Sequence, residues 1–159
     1  MVFKGRYTAQ VDEPIVVFLI GARINKLLRF RKWWWVAMAM PRMMRKLTEV
    51  PELGLLHSES FSRGRTTLMV QYWRSFADLE RFARDKDLPH LEPWRRLNKQ
   101  MRESDEIGFY HETYTIQPGQ VEAIYGNMPM FGLATATKHV EVAAGGESAR
   151  QRLGARASA

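Results

Sequence analysis

Apolar residues recur at every second position in four stretches of the chain, and at every third or fourth position between some of them. In the first stretch, residues 15–25, one face is wholly apolar and includes Val16, whereas the opposite face becomes polar toward Arg23. The same alternation, with many β-branched and aromatic residues, continues in three further stretches: residues 53–61, 66–73 and 107–116. The pattern predicts four strands.

The segments between these strands carry helical spacing. Residues 34–49 have an apolar stripe at steps of three and four, although Pro41 should kink this helix or restart it. Ser75 is a candidate N-cap for a second helix, with Asp78 at the capping-box position three residues later. We expect that helix to break and restart around Pro89 and Pro93, because Pro93 suits a first helical turn.

The resulting order is strand, helix, strand, strand, helix, strand. This is the split β-α-β-β-α-β plan of ferredoxin-like α+β domains, in which the helices cover one face of an antiparallel sheet. The other face of the first strand carries Val17, Leu19 and Arg23, which fits a surface closed by a second subunit. We therefore predict a homodimer. Gly21, inside the strand, indicates a bulge or a close approach by other atoms.

The ends of the chain show no such periodicity. Residues 1–13 are expected to form an irregular leader, and residues 14–134 the folded domain, with a short edge strand near residues 121–127. Alanine, glycine, serine and arginine dominate the remainder, so residues 135–159 are predicted to be a disordered tail.

Composition narrows the class of protein. A length of 159 residues suits one domain, and the lack of cysteine excludes disulfides, thiolate zinc sites and a catalytic thiol. The first residues lack the apolar core of a signal peptide, so we expect a cytoplasmic protein. A net charge of +7 is compatible with nucleic acid, an anionic membrane or an acidic ligand. Recognition-helix, RNP and zinc-finger patterns are missing, which argues against nucleic acid.

One apolar run has basic residues on both sides. Residues 33–40 contain three consecutive tryptophans and are far shorter than the roughly 20 residues that span a bilayer. Such a segment suits either a helix lying in the membrane interface or a core helix with a solvated basic face. A non-catalytic dimeric binding module with weak membrane-surface contact is therefore one alternative function.

Six segments together resemble a known family, and their order along the chain carries the resemblance. They are residues 21–25 (Gly-Ala-Arg-Ile-Asn), 40–43 (Met-Pro-Arg-Met), 71–84 (Gln-Tyr-Trp-Arg-Ser and the helix after it), 90–94 (His to Trp), 108–114 (Gly-Phe-Tyr-His-Glu-Thr-Tyr) and 122–129 (Glu-Ala-Ile-Tyr-Gly-Asn-Met-Pro). The sequence resembles a domain-of-unknown-function family labelled monooxygenase-family proteins and related to the fumagillin-pathway polyketide monooxygenases. The resemblance covers roughly residues 14–134.

That family is similar to the dimeric α/β-barrel superfamily, which includes cofactor-free antibiotic-biosynthesis monooxygenases, haem-degrading enzymes, aldoxime dehydratases and chlorite dismutases. The resemblance implies a cofactor-independent monooxygenase that oxidises a small hydrophobic, aromatic or polyketide-like substrate in an apolar cavity. The alternative is a haem-binding protein or an aldoxime dehydratase-like enzyme, in which His90 or His111 would supply an axial nitrogen. Because one fold hosts many activities, the site must decide between them.

A cofactor-free oxygenase needs a base and polar anchors. His111 is the candidate base because imidazole titrates nearest neutrality, and Glu112 or His90 could orient it. Arg23 and Asn25 could hold an enolate oxygen. The candidates for clamping an aromatic ring are Tyr72, Trp73, Trp94, Tyr110 and Tyr114.

No metal site is predicted. His111 and Glu112 begin like a His-Glu-x-x-His motif but lack the second histidine. His57 and Glu59 share one strand face, yet two ligands do not make a zinc site.

Overall fold

The computed structural model describes residues 1–85, 91–144 and 146–154, apart from the side chains of helical residues 36, 37, 39–44, 46, 48, 91–94 and 154. The strands in this part of the chain are β1 (Phe3–Gln10), β2 (Ile15–Ile24), β3 (Leu55–Arg63), β4 (Thr66–Trp73), β5 (Ile107–Ile116), β6 (Tyr125–Met128) and β7 (Lys138–Glu141). The helices are α1 (Phe30–Glu49), α2 (Phe76–Arg84), α3 (Leu91–Glu103), α4 (Leu133–Ala136) and α5 (Ala149–Gly154), and a 3-10 turn covers Pro51–Leu53.

Strands β2 to β5 form one antiparallel sheet in the order β3-β4-β2-β5. Helix α1 connects β2 to β3, and helices α2 and α3 together connect β4 to β5. The predicted α+β, ferredoxin-like β-α-β-β-α-β fold is therefore confirmed. The four predicted strands also match the observed ones to within about two residues at each end.

The second helical connection begins as the sequence predicts. The Ser75 hydroxyl accepts a hydrogen bond from the Asp78 backbone N–H at 3.0 Å and donates to the Asp78 carboxylate at 2.9 Å. That carboxylate also accepts from Arg74 at 2.8 Å and Arg81 at 2.5 Å. Hydrogen bonding from Arg74, reinforced by Ser75, lowers the pKa of Asp78 to about 2. The cap is thus an anion held by several donors.

Helix α1 begins at Phe30, four residues earlier than expected, and continues through Pro41 instead of restarting there. Its Trp35 lies against α3, where the indole N–H donates to Gln100 Oε1 at 3.2 Å and Arg96 stacks 4.4 Å from the ring centre. Among the described helices, none is both long enough and apolar enough to cross a bilayer.

The helices cover the face of β2 that was predicted to be wholly apolar. Its core consists of Val16, Leu47 of α1, Trp73 of β4 and Leu79 of α2. Trp73 is fully buried, and its indole N–H donates to the buried Gln71 amide oxygen at 3.0 Å. Each buried polar group in this pair therefore satisfies the other.

A second core lies at one end of the opposite face. Its buried members are Ala9, Val11, Ile15, Leu133 and Ala134. A three-stranded sheet in the order β6-β1-β7 supports this core.

The small sheet corrects the prediction for both chain ends. Residues 1–13 are not an irregular leader, because Phe3–Gln10 forms β1 and pairs with β6 and β7. Residues 135–159 are not wholly a disordered tail either, since β7 lies within them. The pairing escapes sequence analysis because Tyr7 and its partner Glu141 are separated by most of the chain, while each strand alone is short and polar.

Candidate functional site

The rest of the helix-free face of the four-stranded sheet, called here the open face, carries four cross-strand rows of side chains. The registers of β3, β4, β2 and β5 define them in that strand order. The arginine row is Arg63, Thr66, Arg23 and Gly108; the aromatic row is Phe61, Leu68, Gly21 and Tyr110; the acidic row is Glu59, Val70, Leu19 and Glu112; the histidine row is His57, Tyr72, Val17 and Tyr114. Successive rows are about 7 Å apart, since two strand residues separate them.

A groove of about 570 Å³ lies over the arginine and aromatic rows. Its walls come from Arg23, Phe61, Ser62, Arg63, Thr66, Leu68 and Tyr110. The volume falls within the range typical of small-molecule sites, and the floor is apolar with charges at one end.

Gly21 determines where Tyr110, one of the groove's walls, can lie. A Cβ atom at this position would overlap the Thr67 carbonyl oxygen and would lie 2.5 Å from Cε1 of Tyr110. The Tyr110 ring therefore lies directly across the β2 backbone, a place that a side chain would fill. This confirms the close approach that a strand glycine predicts.

The charges at the end of the groove are not neutralised within the described part of the chain. Arg23 is exposed and donates from Nη1 to the Thr66 hydroxyl at 3.1 Å. Arg63, its neighbour across Thr66, is exposed as well, and neither arginine forms an ion pair with a carboxylate among the described residues. Their Cα atoms are about 10 Å apart because one strand separates them. An anionic group fits between them.

At the other end of the open face, His57 and Glu59 form a hydrogen-bonded pair. His57 Nε2 lies 2.8 Å from Glu59 Oε1, and the two side chains are 23% and 27% exposed. The imidazole is stacked on Tyr72, with ring centres 6.4 Å apart. A carboxylate that holds one ring nitrogen leaves the other nitrogen to accept or return a proton.

The segment before α4 closes over this pair. The Gly132 N–H points to Glu59 Oε1 at 3.5 Å, and a Cβ at Gly132 would come within 3.1 Å of the Tyr72 hydroxyl. Burial raises the pKa of Tyr72, with further contributions from Tyr125 and Glu59. Tyr72 therefore remains a neutral phenol, able to donate a hydrogen bond, through the physiological pH range.

Two other predicted residues on this face interact with each other. The Tyr114 hydroxyl donates to the Glu112 carboxylate at 2.5 Å, and this hydrogen bond raises the pKa of the phenol. Both side chains are exposed on the edge strand β5. The open face thus brings together five residues that the sequence proposed for the site: Arg23, Tyr72, Tyr110, Glu112 and Tyr114.

His111 lies on the opposite side of the sheet. It pairs with Ile20, its ring is 5.7 Å from Phe18 and 5.8 Å from Phe109, and it is exposed at the edge of the helix-covered side. The expectation that Glu112 orients His111 is wrong within one chain, because neighbouring strand residues point to opposite faces.

Trp73 is likewise not a groove residue, since it is fully buried under the helices. Asn25 follows the end of β2, and its amide donates to the Asp105 carbonyl oxygen at 2.8 Å. His90 lies outside the described residues, and so does the side chain of Trp94.

Three important residues were missed as site candidates. His57 and Glu59 were recognised as sharing a strand face, but they were weighed only as metal ligands. Arg63 fell between the two predicted strands, residues 53–61 and 66–73. The alternation of side chains along a strand would have found them, because the odd-numbered residues of β3 from His57 to Arg63 all lie on the open face. The described residues hold no group of three or more histidines, aspartates and glutamates arranged to bind a metal ion.

The fold and groove define a ferredoxin-like α+β domain with a ligand-sized site on its helix-free face. The chain belongs to the Monooxygenase af470-like family, whose model matches residues 15–133. A curated relative, Monooxygenase af470 of Aspergillus fumigatus, is 28% identical over 150 residues, which cover 79% of this chain and 52% of that protein. The chain therefore spans about half the length of that relative.

Two solved structures are similar to the chain at low sequence identity. Protein SO0527 from Shewanella oneidensis is 15% identical, with a TM-score of 0.45, and the match covers 69% of this chain and 96% of that one. A dimeric ferredoxin-like protein from an uncultured marine organism is 14% identical, with a TM-score of 0.42, and covers 66% of this chain and 96% of its own.

Proposed function

We propose that this protein is a cofactor-independent monooxygenase that oxidises a small aromatic or polyketide-like substrate on the open face. The observation that carries the proposal is the His57–Glu59 pair, which lies on the same sheet face as an apolar groove. Membership of a monooxygenase family supports the reaction class. The geometry favours His57 over His111 as the base, because His111 lies on the helix-covered side.

The rows of side chains give the bound substrate an orientation. A flat ring system would lie over Phe61, Leu68 and Tyr110, with an acidic substituent toward Arg23 and Arg63. The arginine and histidine rows are about 20 Å apart, so within one chain Arg23 does not reach an oxyanion formed beside His57. The arginines therefore anchor the distal end only of an elongated, polyketide-like substrate, whose reacting carbon lies toward the acidic and histidine rows. A small aromatic substrate beside His57 would not reach them.

The chemistry needs only a base, dioxygen and an acidic substrate. The His57 imidazole removes a proton from a CH₂ group activated by a neighbouring phenol or carbonyl, and Glu59 stabilises the imidazolium that forms. The carbanion transfers electrons to dioxygen and forms a carbon–oxygen bond, and the imidazolium returns its proton to the peroxide. Loss of water then leaves a new carbonyl. One oxygen atom ends in the product and the other in water.

A second copy of the chain completes this proposal by covering the open face. Phe61 and Tyr114 are 43% and 50% exposed there, and a reactive carbanion requires protection from water. Sedimentation equilibrium of the full chain should give the mass of a dimer. A monomer at micromolar concentration would contradict this part of the proposal.

Oxygen uptake tests the reaction. Metal-free and flavin-free protein should consume oxygen with anthrone-type polyketide phenols, and His57→Ala should lower the rate by about 100-fold because it removes the general base. His111→Ala is the matched control and should retain the rate. If His111→Ala abolishes uptake while His57→Ala retains it, the base is His111 and our assignment fails.

Haem remains the alternative cofactor, with His90 or His111 as the predicted axial ligand. Protein produced with added haem and then purified should show no Soret band if our proposal holds. A Soret band that disappears in His111→Ala or His90→Ala would replace the cofactor-independent mechanism by haem chemistry.

A further inference from the structure

The start of α1 exposes an unusual group of large apolar side chains. We call Leu27, Leu28, Phe30, Trp33 and Trp34 the tryptophan patch. Leu28 is completely exposed, and Leu27, Phe30 and Trp34 are each about half exposed, at 49%, 49% and 48%. A core helix with a solvated basic face would not place these residues in water.

The patch is ordered by contacts among its own members. The Phe30 ring centre lies 4.9 Å from that of Trp33 and 5.0 Å from that of Trp34. The Trp33 indole N–H donates to the Leu27 carbonyl oxygen at 3.1 Å, which joins the preceding turn to the helix. The three aromatic side chains therefore form one continuous, preformed apolar surface and are not isolated from one another.

Three cations are interleaved with the patch residues along the chain. Arg29, Arg31 and Lys32 are exposed, and none of them forms an ion pair with a carboxylate in the described ranges. They lie at the N-terminal end of α1, whose first turn holds no acidic residue. The helix dipole disfavours positive charge at this end, so the cations do not serve the helix itself.

We propose that the tryptophan patch docks the protein on an anionic lipid bilayer. Both unfavourable features of the free protein are relieved there: the apolar side chains enter the boundary between headgroups and acyl chains, and the cations lie among lipid phosphates and carboxylates. Tryptophan suits this depth because its ring is apolar and its N–H is polar. Charge complementarity selects this occupant over a second copy of the chain, whose matching patch would carry the same positive charge. This inference does not depend on the oxygenase proposal.

Vesicle flotation of the full chain tests it. The protein should float with vesicles of phosphatidylcholine and phosphatidylserine, remain in solution with phosphatidylcholine alone, and be released by rising sodium chloride. Tryptophan fluorescence should shift to shorter wavelength on binding, and lipids brominated near the headgroup should quench it.

Two pairs of variants separate the contributions. Arg31→Gln with Lys32→Gln should weaken partitioning about 30-fold, at roughly fivefold per cation. The matched control, Lys99→Gln with Arg102→Gln, removes the same charge from the exposed face of α3 and should change partitioning less than threefold or so.

Leu28→Ser with Trp34→Gln should weaken partitioning at least tenfold or so, whereas Leu56→Ser, at an exposed leucine of β3, should have no effect. Circular dichroism should show that all variants keep their helices.

Three results would overturn the inference. The first is a failure to float with phosphatidylserine vesicles. The second is an equal loss in the α3 control, because that would show a response to net charge only. The third is dissociation of a dimer by Leu28→Ser with Trp34→Gln in the absence of lipid, which would identify a second copy as the partner of the patch.

Discussion

The two faces of the four-stranded sheet differ in how their polar and apolar side chains are satisfied. On the helix side, the buried polar side chain of Gln71 finds its partner in Trp73, and the apolar side chains of both layers are closed off from water. On the open face, Arg23 and Arg63 have no carboxylate partner in the described chain, and Phe61 stays exposed. The comparison separates residues that stabilise the fold from residues that we propose bind a ligand.

The sharpest test of this contrast removes one aromatic side chain from each face. Trp73→Ala should lower the free energy of unfolding by about 3–5 kcal/mol, because it leaves a cavity and removes the indole N–H that donates to Gln71. Tyr114→Ala, at a half-exposed position on the open face, should cost about 0.5 kcal/mol or less. Urea denaturation measures both. Equal losses would show that the open face also contributes to the core.

Gly21 contributes both to the stability of the sheet and to the groove, since its lack of a side chain lets the Tyr110 ring lie across β2. Gly21→Ala should cost up to about 3 kcal/mol, because the new Cβ meets the backbone carbonyl of Thr67, which has little room to move. Gly126→Ala is the control, since a Cβ there has no atom within 4 Å. If Gly21→Ala unfolds at the same urea concentration as the wild type, Tyr110 is not fixed across β2 as described.

Asp78 provides a pH test on the helix side. Its pKa is about 2 in the folded protein, against an ordinary value of 3.8, so its stabilising effect is complete above about pH 4 and is lost as the pH falls through 2. Asp78→Asn should cost about 2 kcal/mol at neutral pH, because hydrogen bonds to a charged group are lost. The difference from the wild type should shrink between pH 4 and 2. A difference that stays constant with pH would show that the carboxylate charge does not matter.

The smallest effect concerns the arginine end of the groove. Under nitrogen, so that no turnover occurs, 2-naphthoate should bind more tightly than its methyl ester, and Arg63→Gln should weaken naphthoate binding about tenfold without affecting the ester. Arg65→Gln is the control, because Arg65 lies two residues away and bonds the Asn25 carbonyl oxygen outside the groove. Calorimetry would contradict an anion site if both arginine variants behaved alike.

Local pattern predicted most of the fold. The alternation in β2 identified the apolar face that includes Val16, and the Ser75 cap fixed the start of α2. Of the small sheet, the sequence predicted only a short strand near residues 121–127, which overlaps β6. The other two strands and the pairing were missed, because β7 is four residues long and the pairing with β1 joins segments separated by more than a hundred residues. No local pattern records such a pairing.

The site was only half predicted, and His111 shows why. The alternation along β5 showed that His111 shares a strand face with Phe109, and we favoured it as the base because it is a histidine. Which face it occupies depends on the register between β2 and β5, which pairs it with Ile20 on the helix side. His57 has the better position for the same physical reason, as its pairing with Tyr72 places it on the open face.

The second core, which includes Leu133 and Ala134 of α4, has a practical consequence for expressing this domain. A fragment cut at the limits of the family match, residues 15–133, would discard Ala9, Val11 and Ala134 together with the strands that hold them in place. Ile15 and Leu133, which are buried in the whole chain, would then be exposed apolar residues at the ends of the fragment. Gly132 would no longer be held with its N–H beside Glu59. Such a fragment should aggregate, and any protein that stays in solution should have a disturbed histidine row.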